Sequence, residues 1–172
     1  MNAALLGLGT ATPPFRMTQR EIYESFAKGF ALSAEEDGLY RRLLLDGMIE
    51  GRNLGMKSAA EILEKEPERL LARFLEHGLP AAAAASRRAL EDASAKAEDL
   101  SVLVVNTCTG YLCPGLSSYL AEELKLKKSI KAIDIMGMGC GAALPNLECA
   151  IGLMSEGAGL VLSVAVEICS AT

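Results

Sequence analysis

The sequence predicts an α/β fold built on a mainly parallel sheet. Short apolar segments alternate with longer helical ones, which is typical of a sheet that helices cover on both faces. Of the 172 residues, 51% are hydrophobic and 23% are charged, which is ordinary for a globular chain with a real core. The sequence shows no internal repeat and no linker, so we expect one domain over residues 1–172.

Four segments are predicted to be strands because they are apolar, mostly rich in Val, Ile or Leu, and flanked by Gly, Ser or charged residues. They are residues 3–8, 101–106, 130–136 and 160–166. The last strand is followed by only a few residues, with nothing to pair with it or cover it. We therefore expect this chain to be part of a larger folded unit.

Helices are predicted in the intervals between these strands. A Ser or Thr followed three residues later by Glu predicts a capping box at a helix start. Three such pairs occur: Thr18 with Glu21, Ser33 with Glu36, and Ser58 with Glu61. An Ala-rich run that begins with a proline predicts a further helix over residues 80–97.

Charge and cysteine content limit the classes of function. The formal net charge of −5 argues against a binder of nucleic acid or anionic membranes, since both select clustered Lys and Arg. An odd number of cysteines, five, favours a reducing compartment over a disulfide framework. The sequence has no long apolar run and no signal-peptide pattern at its start. We expect a cytoplasmic protein.

Cys140 is the strongest candidate nucleophile. The predicted strand 130–136 runs into a glycine-rich loop, residues 137–139, and Cys140 follows directly. The next apolar residues are spaced for one face of a helix: Leu144, Leu147, Ile151 and Met154. We expect Cys140 to lie buried at a helix start, where unpaired N–H groups and the helix dipole favour the thiolate. The alternative is an inert structural cysteine at a strand–helix turn.

The residues around Cys140, GMGCGAALPNLECA, resemble the nucleophile motif of the type III polyketide synthases. Three other segments resemble the same family in the same order: residues 9–14, 60–67 and 108–115. Glu167 also fits the family's pattern. The resemblance covers nearly all of this chain but only about half of the family's length. It implies a thiolase-like α/β/α layered fold, of which this chain would be the amino-terminal half.

The resemblance implies an acyltransferase that carries out decarboxylative Claisen condensation. Cys140 would hold a starter acyl group taken from acyl-CoA, and malonyl-CoA would supply the attacking enolate. The thioesters of coenzyme A are the substrates, and no metal or other cofactor is expected. The family takes its catalytic His and Asn from the second half, so this half by itself should be inactive. Expected partners are that carboxyl-terminal half and a second subunit in a homodimer.

The resemblance also assigns substrate-binding residues. Cys108 and Thr109 would line the starter pocket, while Cys113 would reach across a dimer interface into the partner's pocket. Thr109 could equally cap a strand end. A metal site formed by Cys108, Cys113 and Cys140 is not expected, because structural zinc usually needs four Cys or His ligands. If Cys108 and Cys140 share a pocket, they should lie at the same edge of the sheet.

Cations are needed near the pocket mouth to bind the phosphates of coenzyme A. Arg41, Arg42 and Arg52 lie roughly where the family keeps such residues, although Glu50 interrupts the basic run. His77 is the sole histidine. We expect it between two helices, in contact with helix-end carbonyls or solvent rather than with Cys140.

Two other functions remain open. The first is a ketoacyl synthase III-like enzyme, which would take malonyl groups from acyl carrier protein rather than from coenzyme A. The second is a non-catalytic thiolase-fold subunit kept for dimerisation or scaffolding. Malonyl-CoA as the only extender separates the two enzymes, and alkylation of Cys140 at neutral pH separates an activated thiol from a spectator.

Overall fold

A computed structural model describes residues 3–155 and 159–171, so the ends of the predicted domain, residues 1, 2 and 172, lie outside the described part. Its strands and helices follow in chain order: β1 Phe15–Thr18, α1 Gln19–Gly29, α2 Ala34–Leu45, β2 Gly51–Leu54, α3 Pro67–Asp92, β3 Leu100–Thr107, α4 Leu116–Glu123, β4 Lys131–Met136, α5 Ala143–Ser155 and β5 Leu160–Ala165. Short 3-10 turns lie at Ala59–Leu63, Ala97–Asp99, Gly139–Gly141 and Cys169–Ala171.

The main sheet is parallel and has the strand order β4-β3-β5. Seven of the eight residues of β3 are buried, as expected for a central strand covered on both faces. The predicted strands 101–106, 130–136 and 160–166 are confirmed to within one residue at each end. The carboxyl ends of all three strands lie at one edge, where Thr107 is paired with Met136 and Asn106 with Ala165.

Helices cover both faces of this sheet. Leu103 and Val105 of β3 join a core cluster with residues of α3 and α4, among them Phe74 and Leu120. Successive side chains of a strand point to opposite faces, so the alternate residues of β3 face the other way. There the side chain of Asn106 contacts α5. The result is a layered α/β/α arrangement, which confirms the predicted fold class.

Two of the three predicted capping boxes are present. Thr18 Oγ1 accepts from Glu21 N at 3.2 Å and Glu21 Oε2 accepts from Thr18 N at 2.7 Å, which opens α1. Ser33 and Glu36 make the same pair of bonds at the start of α2. These helices therefore begin where the sequence places them.

The third predicted helix is wrong. Ser58 makes no side-chain capping bond, and the segment forms only the 3-10 turn Ala59–Leu63. The Glu61 carboxylate accepts from Lys57 N at 3.3 Å and pairs with Arg73 at 3.4 Å. Because Glu61 is held by these partners, it cannot complete a capping box with Ser58.

The helix predicted over residues 80–97 is also wrong in its bounds. α3 begins at Pro67, passes through Pro80 and ends at Asp92. One stripe of α3 is buried at helical spacing: Arg73, Phe74, Gly78, Ala82, Ala83, Ser86 and Leu90. Packing of this stripe outweighs the cost of an internal proline, about 3 kcal/mol. Ser94, with a φ of 51°, bends the chain away after the helix.

Residues 3–8, predicted as a strand, are not one. Residues 3–13 have no regular secondary structure and run along α3, where Leu8 N donates to Asp92 Oδ2 at 2.9 Å. Gly9 lies so close that a Cβ there would be 2.0 Å from Ala85 O. The glycines thus allow packing on a helix, and within the described residues no strand pairs with this segment.

A two-stranded antiparallel ribbon was not predicted. It pairs β1 with β2, from Phe15 opposite Leu54 to Thr18 opposite Gly51. A second, smaller core cluster lies against it, formed by Met17, Ile22, Leu54 and Met56. In the described part of the chain, no helix is both long and apolar enough to span a membrane.

Candidate active site

The candidate site lies at the carboxyl edge of the parallel sheet. Cys108 and Thr109 directly follow β3, Cys140 follows β4 after a short loop, and Glu167 follows β5. Ligands of open α/β sheets bind outside the carboxyl ends of the strands. The expectation that Cys108 and Cys140 share one edge is confirmed by this strand order.

Cys140 lies in the 3-10 turn Gly139–Gly141, immediately before α5. Gly137 and Gly139 have φ values of 74° and 66°, a region that glycine adopts without strain. A Cβ added at Gly139 or Gly141 would meet nothing within 4 Å, so the approach to the sulfur is open.

The expected burial of Cys140 is wrong, since Cys140 is exposed. Its apolar neighbours Met138 and Leu144 are 54% and 68% exposed, because this face of the turn and of α5 is left uncovered by the described residues. The thiol is therefore open to a substrate from outside.

Glu167 joins the ends of β3 and β5. Its carboxylate accepts from Cys108 N at 3.0 and 3.2 Å, from Cys108 Sγ at 3.3 Å and from Thr109 Oγ1 at 3.0 Å. Thr109 Oγ1 in turn accepts from Ile168 N at 2.9 Å. Thr109 therefore caps the strand end, which was the alternative to a role in the pocket. The Glu167 carboxylate holds it together with Cys108.

The same carboxylate changes the chemistry of Cys108. The hydrogen bond to Glu167, followed by burial, raises the pKa of the Cys108 thiol from 9.0 to about 11. A thiolate beside a carboxylate would be repelled, so Cys108 stays protonated at neutral pH. Cys108 is consequently suited to lining a pocket and unsuited to acting as a nucleophile.

The remaining predicted pocket residue, Cys113, is exposed in the loop between β3 and α4. Cys108, Cys113, Cys140 and Cys149 are free thiols. Throughout residues 3–155 and 159–171, no group of three or more His, Cys, Asp or Glu side chains is arranged to hold a metal ion.

The arginines predicted to bind coenzyme A lie on the amino-terminal elements. Arg41 of α2 pairs with Asp37 at 2.8 Å and stacks its guanidinium over the Tyr23 ring, 5.0 Å from the centroid. Arg52 of β2 donates to Gln19 Oε1 at 3.2 Å. Arg42 is exposed. The structure thus gives two of these arginines protein partners, and phosphate binding by them stays a prediction.

His77 does not lie between two helices, as expected, but inside α3. It is packed beside Gly55, where an added Cβ would be 3.2 Å from His77 Cβ. Its Nε2 is buried and has no hydrogen-bond partner in the described structure. His77 lines a cavity with Pro13 and Pro14, and Cys140 is not among the described residues that line this cavity.

Two buried amides near the Cys140 turn were given no role by the sequence, since neither matches the catalytic asparagine of the family that the chain resembles. Asn146 is 1% exposed and Asn106 is 2% exposed, and their side chains are hydrogen-bonded to each other. A signal was available, because Asn146 is a single amide between apolar residues on one turn of a predicted helix. Such a residue is buried at a cost unless its polar atoms find partners.

Comparison with known proteins identifies the family. Residues 32–172 match the family model described as FAE1/type III polyketide synthase-like protein. The chain is 29% identical over 175 residues to "Alpha-pyrone synthesis polyketide synthase-like Pks18" of Mycobacterium tuberculosis, covering 98% of this chain and 44% of that protein. It is 31% identical over 172 residues to "3,5-dihydroxyphenylacetyl-CoA synthase" of Streptomyces toyocaensis, covering 97% and 42%.

A solved structure agrees with these matches. The crystal structure of PKS-I from the brown alga Ectocarpus siliculosus superposes with a TM-score of 0.84 at 27% identity, covering 98% of this chain and 48% of that one. The chain thus spans less than half the length of the relatives it matches. The α/β/α fold and the family match over most of the chain agree, and the chain belongs to the FAE1/type III polyketide synthase-like family.

Proposed function

We propose that this chain is the acyl-carrying half of a type III polyketide synthase that condenses malonyl-CoA onto a starter held by Cys140. The observation that carries the proposal is the position of Cys140. It lies in an open glycine turn at the amino-terminal end of α5, at the sheet edge where β3, β4 and β5 end. The family of the chain supports the same reaction class.

The chemistry assigns one role to Cys140 throughout. Its thiolate attacks the thioester carbon of acyl-CoA, and the thiolate of coenzyme A leaves. Malonyl-CoA then loses carbon dioxide, and the resulting enolate attacks the acyl carbon and expels the Cys140 thiolate. Cys108, Thr109 and Cys113 line the pocket for the acyl group in this proposal. The neutral Cys108 thiol, held by Glu167, supports a binding rather than a nucleophilic role.

The phosphates of coenzyme A are bound by Arg41, Arg42 and Arg52 in the same proposal. Arg42, which is exposed on α2, supports this most directly. Arg41 and Arg52 would have to exchange part of their contacts with Asp37 and Gln19 for phosphate oxygens. Guanidinium groups make strong paired hydrogen bonds to phosphate, which favours that exchange.

The other catalytic groups belong to a carboxyl-terminal half. A His and an Asn there hold the thioester oxygen and stabilise the enolate, and a second subunit completes a cytoplasmic homodimer. The relatives support this view because each is more than twice as long as the part matched here. The free thiols of Cys108, Cys113, Cys140 and Cys149 are in keeping with a reducing compartment.

Acylation tests the role of Cys140 directly. The 172-residue chain is incubated with an acyl-CoA, and we expect its intact mass to increase by one acyl group, mapped to Cys140 by peptide mass spectrometry. Cys140→Ala should abolish the label, while Cys149→Ala, which removes a half-buried thiol of α5, should keep it. Labelling that persists in Cys140→Ala would contradict the proposal.

The condensation itself should need more than these 172 residues. Removing one donor to a developing oxyanion typically costs about 100- to 1000-fold in rate, and in this proposal both the His and the Asn lie elsewhere. We therefore expect no multiple-turnover release of carbon dioxide from malonyl-CoA by the chain alone. Turnover that Cys140→Ala abolishes would show that the site is complete here, with His77 as the first residue to replace.

A second candidate function is that of a non-catalytic subunit. The apolar side of α5, with Leu144 and Leu147 68% and 47% exposed, favours a docking role whatever the chemistry. A Cys140 that takes no acyl group and is alkylated no faster than a model cysteine would favour this candidate. Acylation without extension by malonyl-CoA, even with a carboxyl-terminal half present, would point to carrier-protein substrates instead.

A further inference from the structure

The side-chain amide of Asn146 ties the first turn of α5 to two strands of the sheet. Its Oδ1 accepts from Ser163 Oγ at 2.7 Å. Its Nδ2 donates to three acceptors: Asn106 Oδ1 at 2.8 Å, Val164 O at 3.1 Å and Val104 O at 3.4 Å. Backbone carbonyls can only accept, so the two of them fix the orientation of the amide.

The other fully buried residues along the sheet-facing side of α5 are small. The buried positions recur every fourth residue, at Ala142, Asn146 and Ala150, which is one side of a helix. The opposite side, with Leu144 and Leu147, is exposed. Alanine side chains resist sliding along the helix axis weakly, whereas a slide of one residue, about 1.5 Å, would break the hydrogen bonds of the amide. Asn146 therefore sets the position of α5 along its axis.

Two backbone hydrogen bonds carry that position to Cys140. Asn146 N donates to Ala142 O at 3.0 Å, and Ala142 N donates to Gly139 O at 3.1 Å. The second bond spans the turn that holds Cys140. On its other side the turn follows Gly137, which has a φ of 74°. The hydrogen bonds that run from Asn146 through Ala142 therefore hold the turn at its carboxyl-terminal side.

We propose that Asn146 is a positioning residue. It holds Cys140 at the distance from the carboxyl ends of β3 and β5 that acyl transfer requires. The inference rests on the proposed function of Cys140 as the nucleophile. Asn146 does not touch the reacting atoms in this proposal and acts through Ala142 and the turn. A misplacement of about 1 Å at a reacting centre can cost on the order of 100-fold in rate.

The first test compares Asn146→Ala with Ser117→Ala in single-turnover acylation at a series of acyl-CoA concentrations. Ser117 is also buried, 3% exposed, but it ties α4 to Asp134 of β4 instead of α5. For Asn146→Ala we expect the limiting rate to fall about tenfold to 100-fold with a nearly unchanged half-saturating concentration. Ser117→Ala should lower thermal stability and leave the limiting rate within about threefold. Equal losses of rate in both variants would overturn the proposal.

The second test does not depend on acyl transfer. In Asn146→Ala, amide hydrogen exchange of residues 139–146 should become at least about tenfold faster relative to exchange of α4. In Ser117→Ala, exchange of α4 should become faster relative to exchange of residues 139–146. If Asn146→Ala does not fold, Ser163→Ala replaces it in this test. Ser163→Ala removes one hydrogen bond of the network, so exchange of residues 139–146 should rise by a smaller factor. A chain that takes no acyl group would refute the proposed function, while the exchange pattern would still decide the role of Asn146. Uniform or unchanged exchange would refute that role.

Discussion

Two cysteines at one sheet edge have different chemical surroundings. Cys140 stands in an open turn flanked by glycines, and Cys108 is held by the Glu167 carboxylate through both its backbone N–H and its thiol. The difference arises from one charged residue two positions beyond β5. A single carboxylate therefore keeps one of two thiols at this edge protonated.

Replacing Glu167 should release the Cys108 thiol. Loss of the carboxylate removes the main cause of the raised pKa of Cys108, so Glu167→Gln should lower that pKa toward 9. Since each pKa unit is a factor of ten in thiolate at lower pH, alkylation of Cys108 near pH 8 should accelerate roughly tenfold to 100-fold. Peptide mass spectrometry with iodoacetamide measures it, with Cys113 as the reference in the same chain.

The pH dependence of stability gives the control for this prediction. A thiol whose pKa is raised in the folded state contributes stability below its unfolded pKa and loses that stability as the pH rises through the folded pKa. The wild-type chain should therefore lose stability between pH 9 and about pH 11 through Cys108. Glu167→Gln should flatten this part of the profile. An unchanged rate of Cys108 alkylation and an unchanged profile would both contradict the assigned cause.

At this scale the sequence indicated Cys140, Cys108 and Thr109 through motifs that are local in the chain. It could not indicate the partners of Asn146, which lie on β3 and β5, because those contacts exist only once these two strands are side by side. The exposure of Cys140 was also missed, since burial depends on which surfaces cover a turn rather than on the residues within it.

Among the elements, the strands of the parallel sheet were the most predictable, because a strand buried on both faces reads as a run of apolar residues. α3 was predicted poorly, since Pro80 looks like a helix start but is tolerated inside a helix whose buried stripe is anchored by Phe74. Residues 3–8 have a strand-like composition, yet they lie on a helix because Gly7 and Gly9 allow close contact with α3.

The loop after β3 packs closely against α3 at Gly110. A Cβ added at Gly110 would lie 2.1 Å from the ring of Phe74, which is fully buried. Phe74 cannot move aside without disturbing the core, so Gly110→Ala should destabilise the protein by about 1–3 kcal/mol. Urea unfolding followed by circular dichroism measures the change.

A glycine of α2 provides the matched control. A Cβ added at Gly38 meets nothing within 4 Å, and Gly38 lies within a helix. Gly38→Ala should therefore stabilise the protein by about 0.5–1 kcal/mol, the helix preference of Ala over Gly. The opposite signs of the two variants separate a steric effect from a general response to added volume. Equal changes would show that Phe74 does not limit the loop.

At the scale of the whole molecule, the outer side of α5 is uncovered and apolar next to Cys140. Leu144 and Leu147 are exposed there, and Met138 extends the patch along the Cys140 turn. Contiguous apolar surface of this kind marks an interaction site. In the proposed function this patch would contact a carboxyl-terminal half, since more than half of the length of the relatives lies outside the region matched here.

The chain alone should therefore associate through this patch. Leu147→Glu should reduce self-association and dye binding to apolar surface, because a charge at the patch must be desolvated on contact. Sedimentation velocity and fluorescence of a hydrophobic dye measure the two effects. Leu43→Glu, at a 62% exposed leucine of α2, should change neither. Equal effects of both substitutions would show that association is not specific to α5.

The two core clusters also differ in when a ribosome can complete them. The smaller cluster, around Met17, Ile22, Leu54 and Met56, is fully synthesised once Met56 has been added. The larger one needs Leu162, Val164 and Ile168, because β5 is made after β3 and β4 and pairs with β3 in the centre. A nascent chain can thus bury the ribbon and α1 early, while β3 and β4 must wait with one flank of β3 unpaired. During that interval the strand that later carries Cys108 and Asn106 is the segment most in need of a chaperone.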